Sequence, residues 1–124
     1  MSKLIYPELS YVVQGVFYEV YNELRHYELS EAGWEEALSI VLAQKNIFAE
    51  WQVEQELRYK EQRIGRFFLD VLIERKLLLE LKATPGLIPI NEAQVIAYLK
   101  ITGFKLGILV NFGETNLEIK RILL

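Results

Sequence analysis

Three charged residues interrupt an otherwise apolar stretch, RFFLDVLIERKLLLELKA, which runs from Arg66 to Ala83. Asp70, Glu80 and Lys82 are the groups here whose types and spacing could do chemistry. Two carboxylates held together bind a hard divalent cation, and a lysine beside them can position water or offset charge on a phosphate. Ionised groups among buried strands are costly unless they are paired or bind a cation, so their placement demands a partner.

The elements that must position them are two strands. Phe67–Ile73 and Leu77–Ala83 are nearly continuous apolar runs joined by a tight turn at Glu74, Arg75 and Lys76. Such runs are expected of central strands covered on both faces. A three-residue turn centred on Arg75 sets Asp70 opposite Glu80, with Cβ atoms roughly 5 Å apart on one face. Lys82, two residues on, shares that face because side chains alternate along a strand. A two-residue turn would send the carboxylates to opposite faces. Two oxygen ligands with room for water suit Mg²⁺ or Mn²⁺.

Asp70 followed by Glu80-Leu81-Lys82 resembles the D…(D/E)-x-K signature of the PD-(D/E)XK nuclease superfamily. Gln94-Val95-Ile96-Ala97-Tyr98 resembles the Q-x-x-x-Y element of its RecB-like members. From Gly15–Val20 to Asn111-Phe112-Gly113, the chain is similar to the small bacterial GxxExxxY group. It departs from that group at Glu28, where a glycine is usual, at Trp34, where a tyrosine is usual, and at Tyr21, where many relatives have His. The resemblance implies a restriction-endonuclease-like α/β fold. It also implies a metal held by Asp70, Glu80 and the Leu81 carbonyl, joined by Glu19 from the first helix. Lys82 would act on water, and Gln94 and Tyr98 would orient Lys82 or hold the nucleic-acid backbone.

The length of 124 residues suits one domain with its own core. The chain has no cysteine, which removes thiol and disulfide chemistry and fits a reducing cytoplasm. No apolar run is long enough to span a bilayer, and the N-terminal residues lack the layout of a signal peptide, so no membrane association is expected. A net charge of −3 argues against a protein that grips many phosphates along a duplex. Arg58, Lys60, Arg63, Arg66, Arg75 and Lys76 nonetheless cluster around the first hairpin; a solvated strand edge is their simplest reading. Hydrophobic residues reach 52%, high enough to suggest a homodimer interface.

Along the chain, Leu9 to His26 forms an amphipathic helix with a stripe of Val13, Val16, Phe17, Val20 and Leu24. Gly15 within it would permit close packing. His26, the one histidine, falls near the helix end with no nucleophile motif, which speaks against triad chemistry. Ser30 caps a second helix, Glu31 to Asn46, with Trp34, Ala37, Leu38, Val41 and Leu42 buried and Glu35 and Glu36 facing out. Ala49 to Lys60 alternates as a half-exposed strand, with Trp51, Val53, Leu57 and Tyr59 on one side, and Glu61-Gln62 forms the turn. A third helix runs from about Ile90 to Gly103. Leu106–Phe112 should lie parallel to the strand before that helix, and Gly113-Glu114 turns into the last strand, Leu117–Leu123. The expected order is α-α-β-β-β-α-β-β, one mixed sheet flanked by helices. The expected function is metal-dependent hydrolysis of phosphodiester bonds in nucleic acid, with DNA as the favoured substrate. The alternative is a nuclease-fold interaction module that cleaves nothing.

Overall fold

Apolar residues at helical spacing build the first layer. In the computed structural model, which describes residues 6–113 and 115–124, α1 spans Pro7–Leu24 and α2 spans Glu31–Gln44. A single 3₁₀ turn, Arg25–Tyr27, separates them and carries the exposed His26. Val13, Val16, Phe17 and Val20 of α1 are buried, as are Trp34, Leu38, Val41 and Leu42 of α2. The Ser30 hydroxyl accepts the Gly33 N–H at 3.3 Å, the expected N-cap. Among the described residues, no helix is long and apolar enough to cross a membrane.

Gly15 does not serve close packing. A Cβ built there meets nothing within 4 Å. Gly15→Ala is therefore expected to stabilise the protein by about 1 kcal/mol through helix propensity alone. Thermal melts check this; a lower melting temperature would mean that the open space has another use.

Five strands form one sheet in the order β1-β2-β3-β4-β5. They are β1 Ala49–Tyr59, β2 Gln62–Ile73, β3 Leu77–Lys82, β4 Leu106–Asn111 and β5 Glu118–Leu123. β3 and β4 are parallel, linked across the sheet by α3 (Pro89–Thr102), and the other neighbours are antiparallel. The element order is the expected one. Asn91 Oδ1 accepts the Ile88 N–H at 2.9 Å to start α3, and Gly103 (φ 82) ends it. One face of the sheet packs on α1 and α2 through Val71, Ile73, Leu79, Leu81, Ile108 and Val110. The other packs on α3 through Leu69, Leu78 and Leu109 against Val95 and Leu99. Both β3 and β4 are thus covered on both sides, which is why they read as unbroken apolar runs.

Three sequence expectations change. β2 begins at Gln62, five residues before Phe67, because it continues as a two-stranded ribbon with β1 beyond the end of β3. The turn of that ribbon falls at Lys60 and Glu61, both left-handed (φ 49 and 66), rather than at Glu61-Gln62. Trp51 and Val53 do not share a face: Gln52 is left-handed (φ 51), and the strand rolls over there. Trp51 then packs with the α1/α2 core and Val53 with the α3 core. Glu114, expected in the final turn, lies outside the described residues, as do the first five residues of the chain.

Candidate active site

The turn between β2 and β3 decides whether the carboxylates meet. Glu74 and Arg75 are left-handed (φ 51 and 53), and the Lys76 N–H donates to the Ile73 carbonyl at 3.0 Å. Val71 then faces Leu79, Leu72 faces Leu78, and Ile73 faces Leu77, the register of a three-residue loop. Beyond Val71 the ladder ends and the strands part. The next residues outward are Asp70 and Glu80.

At that fork the Asp70 side chain replaces the missing ladder: its Oδ2 accepts the Leu81 N–H at 3.1 Å. Glu80 points to the α3 face with Leu78 and is 4% exposed. Burial first, then the Asp70 charge beside it and a hydrogen bond between the two side chains, push the Glu80 carboxyl up to about 8. Lys82 Nζ stands 3.6 Å from Glu80 Oε1 and pulls the other way without cancelling the rise. Glu80 therefore holds its proton near neutral pH. Glu80 Oε2 is buried and has no hydrogen-bond partner.

α3 closes the site from one side. The Gln94 amide donates to Tyr98 Oη at 2.7 Å, and the Tyr98 ring stacks on Phe67 with centroids 4.6 Å apart. Desolvation and then the nearby Glu80 charge raise the Tyr98 pKa. Asp70, Glu80, Leu81, Lys82, Gln94 and Tyr98 are thus brought to one place.

Glu19 is exposed on α1, and its charge does not figure among those perturbing Glu80, Tyr98 or Glu35. Glu35 on α2 is different. It is half-buried, and desolvation followed by the charge of Asp70 raises its carboxyl pKa. Sequence reading turned both Glu35 and Glu36 outward; only Glu36 is exposed. The missed signal was small: Glu35 directly follows the buried Trp34, at the border of the apolar stripe. Among the described residues, no three acidic or imidazole side chains converge tightly enough to form a metal cage on their own.

A second cluster holds the end of β3 in place. Asn111, fully buried and paired with Lys82 across β3–β4, accepts the Thr84 and Gly113 N–H groups at 3.0 Å each. Its amide also donates to the Thr84 carbonyl at 3.0 Å, and the Phe112 N–H donates to the Lys82 carbonyl at 2.9 Å. Phe112 stacks on Trp34 at 4.6 Å, tying this clasp to α2.

The fold has a counterpart. A crystal structure of SSO0001 superposes with a TM-score of 0.58 over 73% of this chain, at 20% identity. This chain covers 48% of that protein, about half its length, and the likeness concerns the fold alone. A search of functionally curated proteins finds none that matches. The mixed five-stranded sheet flanked by helices is the restriction-endonuclease-like arrangement expected from the sequence. The family model of the PD-(D/E)XK nuclease superfamily matches residues 7–122, and the chain belongs to that superfamily.

Proposed function

We propose that the protein hydrolyses phosphodiester bonds in DNA with the help of Mg²⁺ or Mn²⁺, using the fork between β2 and β3 as its active site. The observation that carries this reading is the orphaned Glu80 Oε2, buried beside a second carboxylate. A protein gains nothing from an unpartnered buried carboxylate oxygen unless a ligand completes it. A hard divalent cation fits that oxygen, with Asp70 and the Leu81 carbonyl as further ligands and water for the rest. Such a cation supplies Lewis acidity toward a phosphate oxygen and toward water.

The remaining chemistry belongs to the chain. Glu80 holds a proton until a cation takes its place, so binding releases that proton. Lys82, half-buried at the mouth of the fork, orients the attacking water and offsets charge on the phosphate. Gln94 and Tyr98 form one hydrogen-bonded unit that walls Lys82 on the α3 side and can hold the substrate backbone. Glu35 supplies a helix carboxylate near Asp70, a role that sequence reading gave to Glu19. Within the superfamily, Gly15–Val20 and Asn111–Gly113 support membership of the small GxxExxxY group. The cysteine-free chain fits work in the cytoplasm.

The test is a cleavage assay on single-stranded and duplex DNA and on RNA, with Mg²⁺, Mn²⁺ or chelator. Metal-dependent cleavage of DNA is expected, falling to background in Glu80→Ala and Lys82→Ala. Melting curves run alongside. If no nucleic acid is cut but Mn²⁺ still raises the melting temperature through Asp70 and Glu80, the protein is a binding module on a nuclease fold. If Mn²⁺ neither supports cleavage nor shifts the melt, the metal reading is wrong.

A further inference from the structure

β1 is an edge strand: its inner side pairs with β2, and no described strand pairs with its outer side. Proteins guard such edges with charge, because an open row of N–H and C=O groups invites a second strand. Here the guard has an order. Along the exposed face of the β1 arm the residues run Glu54, Glu56, Arg58, and then Lys60 in the turn, two negative charges followed by two positive ones. That order is complementary to itself when read in reverse.

We propose that β1 pairs antiparallel with β1 of a second copy, about a two-fold axis through Leu57. In this register Glu56 of each copy lies opposite Arg58 of the other, and Glu54 lies beside Lys60. Four cross-strand ion pairs form, and no like charges face one another. Sliding by one step of the pleat in one direction sets Glu56 against its own copy; the other direction sets Arg58 against its own copy. Both are penalised, as directly opposed like charges are. A shift of half a step would turn the charged face of one copy into the α3-facing layer of the other. The charges that close the edge to other strands thus leave one alignment open.

The backbone permits it. Where the β1–β2 register slips between Leu57 and Arg58, the unpaired residue is Ile64 on β2, so β1 stays regular from Val53 to Tyr59. The existing ion pairs on this face are intrachain and solvent-exposed: Arg58 to Glu56 at 3.2 Å, Arg63 to Glu56 at 3.7 Å and Arg66 to Glu54 at 3.1 Å. Exposed pairs of this kind are worth little each, so they yield readily to a cross-strand arrangement. Leu57, half-buried on the α3 side, meets its own copy at the axis. The result is a single ten-stranded sheet.

This proposal is independent of metal binding and of cleavage, and its test needs neither. Sedimentation of the wild type across low to high micromolar concentration should show a monomer–dimer equilibrium that weakens with added salt. Arg58→Glu and Glu56→Arg, each alone, place like charges opposite one another and should raise the dissociation constant at least tenfold. Mixed in equal amounts, the two variants should associate again, because each now supplies the charge that the other lacks. Circular dichroism of each variant separates loss of pairing from loss of folding. A wild type that is monomeric throughout overturns the proposal. So does a dimer indifferent to both substitutions, or a pair of monomeric, folded variants that fail to associate when mixed.

Discussion

Glu80→Gln is expected to remove most of the pH dependence of stability between pH 5 and pH 8. The folded-state carboxyl has its pKa raised to about 8, against an ordinary value of 4.5. A raised folded pKa means that the native state binds the proton more tightly than the unfolded chain does. Stability from this group is therefore complete below about pH 4.5 and is lost as pH climbs through about 8. A shift of this size corresponds to on the order of 5 kcal/mol, or roughly 10 °C or more in the melting temperature of a domain this small. Glu35 slopes the same way, since its carboxyl is raised too. Glutamine keeps the shape of the protonated acid and can still donate to Asp70. Wild type and variant should therefore melt alike below about pH 4.5 and diverge progressively from about pH 5 to pH 8, the variant being the more stable. Equal slopes in the two proteins would mean that Glu80 is ionised in the fold.

The same proton governs the response to cations. A bound divalent ion replaces it, so Mn²⁺ should stabilise wild type more at pH 8 than at pH 6. At a hundredfold excess over Kd the gain is about 2.7 kcal/mol. Asp70→Asn should abolish it while leaving the metal-free protein no less stable above about pH 8, where Glu80 would otherwise ionise beside a like charge.

The second large effect is expected at Asn111. Its buried side chain serves three main-chain groups, the Thr84 N–H, the Thr84 carbonyl and the Gly113 N–H. Asn111→Ala removes the partner of all three, at about 1 kcal/mol for each hydrogen bond lost, since Gly113 is exposed and Thr84 half-buried. A loss of roughly 2–3 kcal/mol follows, with water entering the cavity recovering part of the sum. Gly113→Ala attacks the same clasp sterically, because a Cβ there collides with the Thr84 main-chain nitrogen and oxygen. Denaturant melts of both variants read the cost. Lys82 sits two residues from Thr84, so cleavage should fall further than stability alone explains. A melt of Asn111→Ala within 1 kcal/mol of wild type would show the clasp to be dispensable.

The heart of the site was legible because it depends on local rules. Two apolar runs three residues apart determine a register, and that register decides whether Asp70 and Glu80 meet. α3, its glycine stop and the parallel β3–β4 pair were legible for the same reason, each resting on a periodicity or a crossover rule. Glu35 was not, because its approach to Asp70 comes from how α2 lies over the sheet, and two consecutive glutamates at a helix face give no hint of which turns inward. The roll at Gln52 was equally hidden: glutamine has no particular liking for left-handed backbone, so only the two opposed cores explain it. The strand ribbon beyond Phe67 reads as polar and charged, and apolar patterning alone cut it short.

That roll at Gln52 also divides the sheet in time. On the side of the hairpin tip, β1 and β2 hold mainly each other, through a two-residue turn and neighbours close in sequence. On the other side, β3 and β4 close only after α3 has crossed between them, a non-local pairing of the kind that slows folding. The ribbon can therefore zip early and open alone. In native-state hydrogen exchange its amides from Glu56 to Arg66 should trade protons through small local openings. Those of β3 and β4, sealed under helices on both faces, should wait for the whole chain to unfold.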